Sequence, residues 1–133
     1  MDLKEAVKKI HWLGHDAIRI DGSTVVQLDP FQISVTKPAD LIMISHDHFD
    51  HNSPEDVAKI QKKDSVIVTD AASAKKLKGE IKVVAPGAKL SVKGVPTTPT
   101  KTSIPRPQVC SPLSSKWMAS DIITRATRIL FLR

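Results

Sequence analysis

The stretch DLIMISHDHFDHNSPEDVAKI, from Asp40 to Ile60, joins a strand, a loop and a helix. Its first part, DLIMIS, is a continuous apolar run that is typical of a strand covered on both faces. Ser53 as N-cap, Pro54 at the first helical position and acidic Glu55 near the positive end of the helix dipole predict a helix start. We expect this helix to continue through VAKIQKK. Between strand and helix, SHDHFDH holds three of the five histidines of the chain.

The segments on both sides of this stretch extend the pattern. KIHWL, AIRI and TVVQL are short runs separated by turns, and they predict an antiparallel meander. SVIVTD reads as a second buried strand, ASAKKLKG as a second helix closed by Gly79, and IKVVA as a third strand. An antiparallel meander followed by a βαβαβ arrangement predicts the α/β class.

The chain divides by composition at residue 94. Residues 1–94 carry 14 Lys and Arg against 13 Asp and Glu, whereas residues 95–133 carry 6 against 1. In the second segment 16 of 39 residues are Pro, Ser or Thr, and hydrophobic periodicity disappears. We therefore expect one partial domain over 1–94 and an irregular, atypical tail over 95–133. A basic excess confined to such a tail, without interleaved aromatic residues, argues against nucleic acid as a partner.

The motif H-x-H-x-D-H supplies four side chains of metal-ligand type: His46, His48, Asp50 and His51. In a loop that leaves a strand, residues two apart can face one point while adjacent residues face a second point nearby. Imidazole and carboxylate suit zinc, iron(II) or manganese. Two such ions about 3.5–4 Å apart can share a hydroxide and polarise a scissile bond. The motif therefore predicts one or two ions, with zinc expected, and hydrolytic chemistry.

With its apolar strand, this motif resembles the signature of the metallo-β-lactamase-fold hydrolases. IHWLGHDAIRI and VVQLDPF are similar to the first hairpin and to the "aspartate after a strand" element of the cytoplasmic, lactonase-like branch of that family. The resemblance covers about residues 8–94. It implies the N-terminal half of an αββα metallo-β-lactamase sandwich.

The resemblance also implies roles for individual residues. His46 and His48 would hold the first metal, and Asp50 and His51 the second. Asp50 would in addition contact the attacking water as the catalytic carboxylate. Asp29 would brace the ligands from behind. The implied function is a metal-dependent hydrolase that acts on a small ester, lactone or phosphorylated metabolite through a metal-bound hydroxide.

The chain departs from the family after the motif. Members of the family complete the site with two later histidines and a bridging carboxylate, but no histidine follows His51 here. His15 lies in the early turn without an expected ligand role, and His11 is expected to be structural. One alternative is therefore a catalytically inactive, truncated fragment that binds metal weakly. An RNA-processing nuclease is less favoured, because those enzymes carry a glycine soon after the last motif histidine.

The coding frame offers one explanation for the tail. Reading the DNA one nucleotide earlier forces Asp-Gly from WMA, and over SDIITRATRIL it permits the string RYYHAGDTDF, which resembles the missing part of the family. We hypothesise a one-nucleotide deletion near Val95 to Thr97 that puts the remainder out of frame. A sheet without its partner layer would expose an apolar face, which would favour aggregation or a homo-oligomer.

The remaining expectations concern location and partners. The chain has no apolar run of the roughly 18 residues that a membrane span needs, and MDLKEAVKKI lacks the apolar core of a signal peptide. A lone cysteine, Cys110, excludes an internal disulfide framework and fits a reducing compartment. The sequence predicts a cytoplasmic protein with a small-molecule substrate and no membrane partner.

Overall fold

A computed structural model of the chain describes residues 2–34 and 37–99. Within these ranges the elements follow one another as α1 (Leu3–Val7), β1 (Ile10–Trp12), β2 (Ile18–Asp21), β3 (Val25–Leu28), β4 (Ala39–Met43), α2 (Pro54–Ile60), β5 (Gln61–Thr69), α3 (Ala71–Ala74), β6 (Glu80–Val83), β7 (Leu90–Val92) and β8 (Val95–Thr97). The helix α1 was not anticipated from the sequence. It begins at the N-cap Asp2, whose carboxylate accepts a hydrogen bond from the backbone N–H of Lys4.

Six strands form one mixed sheet in the order β1-β2-β3-β4-β5-β6. The first three strands pair antiparallel, with Ile18 opposite Leu28 between β2 and β3. From β3 to β6 all pairs are parallel, and Leu41 of β4 lies opposite Val26 on one side and Val66 on the other. The predicted antiparallel meander followed by a parallel βαβαβ segment is confirmed, as is the α/β class.

Apolar side chains cover both faces of this sheet. The first cluster contains Ala6, Ile18, Ile20, Val26, Leu41, Val66, Val68, Val92 and Val95. The second cluster contains Ala17, Ile33, Ala39, Ile42, Ile44, Val57, Ile60, Ile67 and Leu77. Adjacent residues Leu41 and Ile42 are fully buried on opposite faces, which is the period of a strand and explains the continuous apolar run DLIMIS. Each such buried side chain contributes about 1.5–3 kcal/mol through the hydrophobic effect.

Helix α2 begins as the sequence predicts but ends earlier. The Ser53 hydroxyl accepts from the backbone N–H of Asp56, and Pro54 occupies the first turn. The predicted continuation through VAKIQKK is wrong, because the helix ends at Ile60 and Gln61 already has extended backbone with φ −74° and ψ 130°. Ile60 is the last apolar residue of the buried helix face, so a longer helix would bury no further apolar surface. Gln61 instead pairs with Ala39 of β4.

The second predicted helix, ASAKKLKG, is also shorter than expected. Helix α3 covers only Ala71–Ala74 and is capped by Asp70, whose carboxylate accepts from the N–H of Ser73. Beyond it, the N–H of Leu77 donates three residues back to the carbonyl of Ala74, the tighter spacing that ends many helices. Gly79 then takes φ +112°, a conformation that ends helices and that glycine adopts without strain.

A small hairpin of β7 and β8 follows the sheet. Its turn residues Lys93 and Gly94 both have positive φ, as a tight two-residue hairpin turn requires. Val92 and Val95 are buried in the first cluster, so the hairpin packs on the face of the sheet opposite α2. It crosses the predicted boundary between residues 94 and 95. The rest of the predicted tail, residues 100–133 with Cys110, lies outside the described residues.

Strand direction decides where the loops meet. Because β1, β3 and β4 all run in the same direction, their carboxyl ends lie at one edge of the sheet. The turn Gly14–Asp16, the residue Asp29 and the loop 45–51 leave the sheet at that edge. In open α/β sheets this is the edge that binds ligands. No helix in the described part of the chain is both long and apolar enough to cross a membrane.

Candidate metal centre

Asp29 is a buried residue that supports the site through its hydrogen bonds. It follows β3 directly, has φ +38° and is 2% exposed. One carboxylate oxygen accepts the backbone N–H of Ser45 at 2.7 Å, and the other accepts the Ser45 hydroxyl at 2.6 Å. The second oxygen also lies 2.9 Å from Nδ1 of His51. Asp29 therefore ties the end of β3 to both ends of the loop 45–51.

These contacts fix which nitrogen of His51 carries a proton. An ionised carboxylate only accepts, so Nδ1 of His51 donates to Asp29 and Nε2 points toward the edge of the sheet. Burial favours the neutral ring, but the hydrogen bond that His51 donates to Asp29 and the charges of Asp29, Asp50 and Asp16 outweigh it and raise the pKa of His51. The surroundings of Nε2 thus favour a positive charge at this atom, whether a proton or a metal ion.

His46 receives its orientation through Ser45. The only hydroxyl hydrogen of Ser45 is donated to Asp29, so the Ser45 oxygen, 2.8 Å from Nδ1 of His46, accepts from that nitrogen. Burial and the charges of His51 and His48 lower the pKa of His46 and favour its neutral form. The Nε2 lone pair of His46 then points at Nδ1 of His48, 3.0 Å away. Two ring nitrogens at this separation can both bind one metal ion.

The predicted ligands form one cluster. The ring centroid of His46 lies 4.1 Å from that of His51 and 4.4 Å from that of His48. Oδ2 of Asp50 lies 3.7 Å from Nε2 of His51. The geometry therefore places His46 beside His48 and Asp50 beside His51, with Asp29 behind the cluster.

Two further side chains join the cluster from the turn after β1. Nε2 of His15 lies 2.9 Å from Oδ2 of Asp50, and Oδ2 of Asp16 lies 3.4 Å from Nε2 of His51. One ligand atom each of His15, Asp16 and His51 lies within 4.8 Å of the others. Neither His15 nor Asp16 was expected in the site from the sequence. The strand directions would have indicated both residues, because β1 ends at the same edge of the sheet as β3 and β4.

His11 lies elsewhere in the fold. It belongs to β1, and its Nε2 lies 3.1 Å from Oδ2 of Asp21 on β2. Asp21 also pairs with Arg19 at 3.0 Å and with Lys37 at 3.1 Å. No contact links His11 to the motif loop in the described part of the chain.

The loop itself is held by its own backbone and by its neighbours. The N–H groups of His51 and Asn52 both donate to the carbonyl of His48, at 3.0 and 2.7 Å. The side-chain amide of Asn52 donates to Oδ1 of Asp47 at 3.1 Å and to the carbonyl of Ser73 at 3.2 Å. The ligand residues therefore sit on a short, internally hydrogen-bonded turn fastened to α3.

An apolar wall borders the cluster. The ring of Phe31 packs edge-on against His15 with centroids 5.5 Å apart, and Phe49 packs edge-on against Phe31 at 5.9 Å. Phe49, inside the motif loop, is 79% exposed. A large aromatic side chain open to solvent beside polar, ionisable groups is typical of a ligand-binding surface.

Comparison with known proteins identifies the family of the chain. The family model of the beta-lactamase superfamily domain matches residues 9–112 and so runs past Gly94 into the tail. A UPF0173 metal-dependent hydrolase of Pyrococcus abyssi is 37% identical over 83 residues, covering 53% of this chain and 37% of that protein. A UPF0173 metal-dependent hydrolase of Methanosphaerula palustris is 38% identical over 45 residues, covering 32% of this chain and 21% of that protein.

A solved structure shares the fold. The crystal structure of a candidate metal-dependent hydrolase from Parabacteroides distasonis superposes with a TM-score of 0.58 and 27% sequence identity, over 65% of this chain and 41% of that one. The chain thus spans less than half the length of each of these relatives.

Proposed function

Since this chain belongs to the beta-lactamase superfamily, we propose that it carries part of a zinc-dependent hydrolase site for a small ester, lactone or phosphorylated metabolite. In this proposal His46 and His48 hold one ion, and Asp50 and His51 hold the other. The supporting observation is that these four side chains form one cluster in which Asp29 orients two of the rings, His51 directly and His46 through Ser45.

The donor set fits a borderline metal ion. Three imidazoles and one carboxylate converge, and nitrogen with oxygen donors suits zinc, with manganese or iron(II) as alternatives. Nε2 of His46 lies 3.0 Å from Nδ1 of His48, and both side chains are at least partly exposed to solvent. A metal-ligating histidine usually donates its other ring N–H to a carboxylate or carbonyl, as His51 does to Asp29.

The reaction needs a nucleophile and a polarised bond. Zinc held by these residues would supply both, since it would make a water molecule more acidic and withdraw electrons from the scissile group. Asp50 would orient the attacking water. Burial alone would raise the pKa of Asp50, but the hydrogen bond from His15 and the nearby charges of His51 and His15 lower it. An ionised Asp50 can accept a hydrogen bond from the attacking water and direct its lone pair at the substrate.

The aromatic wall supports a small substrate with an apolar part. Phe31 packs against His15, and the exposed ring of Phe49 packs against Phe31, so the two aromatic rings border the cluster next to solvent. An acyl chain or lactone ring packed on Phe49 would place its carbonyl next to the ligand atoms.

A second candidate is a chain that binds metal without turnover. Each ion receives only two protein ligands in the arrangement above, whereas catalytic zinc sites ordinarily provide three. No histidine follows His51 in the chain. This candidate predicts weak zinc binding with no hydrolysis.

The test is a hydrolysis assay on the full chain with zinc. We expect turnover of p-nitrophenyl acetate, of a short-chain lactone or of p-nitrophenyl phosphate, and at least about a hundredfold loss in Asp50→Asn, the lower range for a lost general base. His11→Asn, which replaces a histidine outside the cluster, should keep the activity. Zinc binding without any hydrolysis would favour the second candidate, and absence of zinc binding would contradict both.

A further inference from the structure

We infer that the turn after β1 contributes two ligands, His15 and Asp16, to the ion held by His51. This inference rests on the proposed function, because it concerns the same metal centre. Together with Asp50 and His51, these two residues give the second ion four candidate ligands from the described part of the chain. The candidate that binds metal without turnover assumes only two protein ligands for each ion. This inference removes that assumption for the second ion.

Several separations between the ligand atoms are close to those of a tetrahedral zinc site. Zinc bound at about 2.0–2.2 Å to nitrogen and oxygen holds neighbouring ligand atoms about 3.3–3.6 Å apart. Oδ2 of Asp16 lies 3.4 Å from Nε2 of His51 and 3.7 Å from Nε2 of His15. Oδ2 of Asp50 lies 3.7 Å from Nε2 of His51. Ligand atoms of His15, Asp16 and His51 all lie within 4.8 Å of one another, so one ion among them would be within reach of all three side chains.

The turn is held in place independently of the motif loop. The N–H of Leu13 donates to the carbonyl of Ala17 at 2.8 Å, and the N–H of Ala17 donates to the carbonyl of Gly14 at 2.9 Å. The indole N–H of Trp12 donates to the carbonyl of His15 at 2.8 Å. Fixed backbone on both sides of His15 means that its ring loses little further freedom when it binds an ion.

The site is also accessible and charge-balanced. The side chains of His15 and Asp16 are 42% and 32% exposed, so an ion can enter from solvent, whereas that of His51 is 6% exposed and forms the inner wall. The carboxylates of Asp16 and Asp50 match the charge of one divalent ion. The ring of His15 rests on Phe31, which limits its motion away from the others.

The hydrogen bond between His15 and Asp50 offers a competing explanation. At 2.9 Å it could hold Asp50 in place without any ligand role for His15. Substitution alone does not separate the two roles, because either would weaken zinc binding. A direct probe of the ring nitrogen is therefore needed.

The experiment combines zinc titration with NMR of the imidazole nitrogens in the full chain. We expect His15→Asn and Asp16→Asn each to weaken zinc binding by at least about tenfold, since even residues that only orient a ligand are typically worth about 10–100-fold. Asparagine is chosen because it tolerates the φ of +50° at His15. His11→Asn serves as the matched control and should leave binding unchanged. Nε2 of His15 should shift to the value of a metal-bound nitrogen when zinc is added.

The outcomes separate this inference from the proposed function. If zinc binding requires His46 and His48 but is insensitive to both turn variants, the turn holds no ion and the proposed function stands. If zinc shifts the nitrogens of His51 but not those of His15, then His15 only positions Asp50 and the inference is overturned. A wild-type chain that binds no zinc would overturn both. Circular dichroism of each variant verifies that a loss of binding is not a loss of fold.

Discussion

Oδ2 of Asp29 lies 2.9 Å from Nδ1 of His51, and both side chains are buried. The same oxygen accepts the hydroxyl hydrogen of Ser45, whose oxygen accepts from His46. One carboxylate thus sets the protonated nitrogen of two rings and leaves Nε2 of each directed toward the proposed metal positions. A buried, fully hydrogen-bonded network of this kind specifies one arrangement, and it becomes costly when one member is removed.

Asp29→Asn should therefore weaken both metal binding and folding. The amide nitrogen of asparagine cannot accept, so either Ser45 or His51 loses its partner. We expect zinc affinity to fall about 10–100-fold. The free energy of unfolding should fall by about 1–3 kcal/mol. Competition with a chelator measures the first quantity, and urea denaturation of the zinc-free chain measures the second.

The control for this prediction is Asp70→Ala. It removes the cap of α3, where Oδ1 of Asp70 accepts the N–H of Ser73 at 3.0 Å. Losing such a cap costs about 1 kcal/mol. Zinc affinity should remain unchanged because the side-chain hydrogen bonds of Asp70 go to Thr69 and Ser73, outside the motif loop. Equal losses of affinity in the two variants would show that Asp29 acts only through stability.

Asp56 should make stability depend on pH. Its carboxylate accepts the backbone N–H of Gln32 at 2.9 Å and of Ile33 at 3.2 Å, as well as the side chains of Ser53 and Lys59 at 2.7 and 2.8 Å. Burial alone would raise the pKa of Asp56, but these hydrogen bonds outweigh it and hold the pKa below its ordinary value. The contribution to stability is then fully present above the pKa of the unfolded chain, about 3.9. It is lost as the pH falls through the lower pKa of the folded state.

Asp56→Asn tests this dependence. At pH 7 the variant should unfold more easily by about 1–3 kcal/mol, because the backbone donors of Gln32 and Ile33 lose a charged acceptor. Between pH 7 and pH 3 its stability should decline less than that of the wild type. Urea denaturation at a series of pH values measures both. Parallel curves for the two proteins would mean that Asp56 has the same pKa in the folded and the unfolded chain.

Gly79→Ala should destabilise the junction between α3 and β6. A Cβ atom at this position would lie 2.2 Å from Nε2 of Gln61, and the φ of +112° strains any residue other than glycine. Gln61 can swing away only by breaking its 2.7 Å hydrogen bond to the carbonyl of Lys78. We expect a loss of roughly 1–3 kcal/mol.

Gly22→Ala provides the matched control for that substitution. Its φ is not in the left-handed range, and a Cβ there would meet its nearest neighbour, the carbonyl oxygen of Thr24, at 3.5 Å. This variant should change the thermal midpoint by little. Adding Gln61→Ala to Gly79→Ala should recover only the part of the loss that comes from the clash. Full recovery would show that the backbone strain is negligible.

The sequence predicted the sheet well because burial on two faces leaves a clear local pattern. DLIMIS and SVIVTD contain adjacent residues such as Leu41 and Ile42 that face opposite clusters, and only a central strand requires this. The N-cap of α2 was predictable for a similar reason, since Ser53 forms its hydrogen bond within its own turn. The helix ends were not predictable in this way. Gln61 leaves the helix because of pairing with Ala39, a residue distant in sequence.

Residue spacing predicted the candidate site only within one loop, whereas the role of Asp29 was expected from the family resemblance. His46, His48, Asp50 and His51 share one loop, so their spacing alone indicated a metal site. His15 and Asp16 lie 30 or more residues away and reach the cluster through the shared edge of β1, β3 and β4. An isolated Gly-His-Asp turn gives no such indication. The pairing order of the strands supplies the missing information.

Zinc should stabilise the fold in a concentration-dependent manner, because an ion bound only by the folded chain shifts the equilibrium toward it. At about 100 times its Kd, zinc should raise the free energy of unfolding by about 2.7 kcal/mol, and a chelator should reverse this. Magnesium should have little effect, because it prefers oxygen ligands and the proposed set is mostly imidazole. Replacing both His46 and His48 with asparagine should reduce the shift, as measured by urea denaturation at several zinc concentrations. An undiminished shift in that double variant would place the stabilising ion elsewhere in the chain, for which the turn at His15 and Asp16 is the first position to examine.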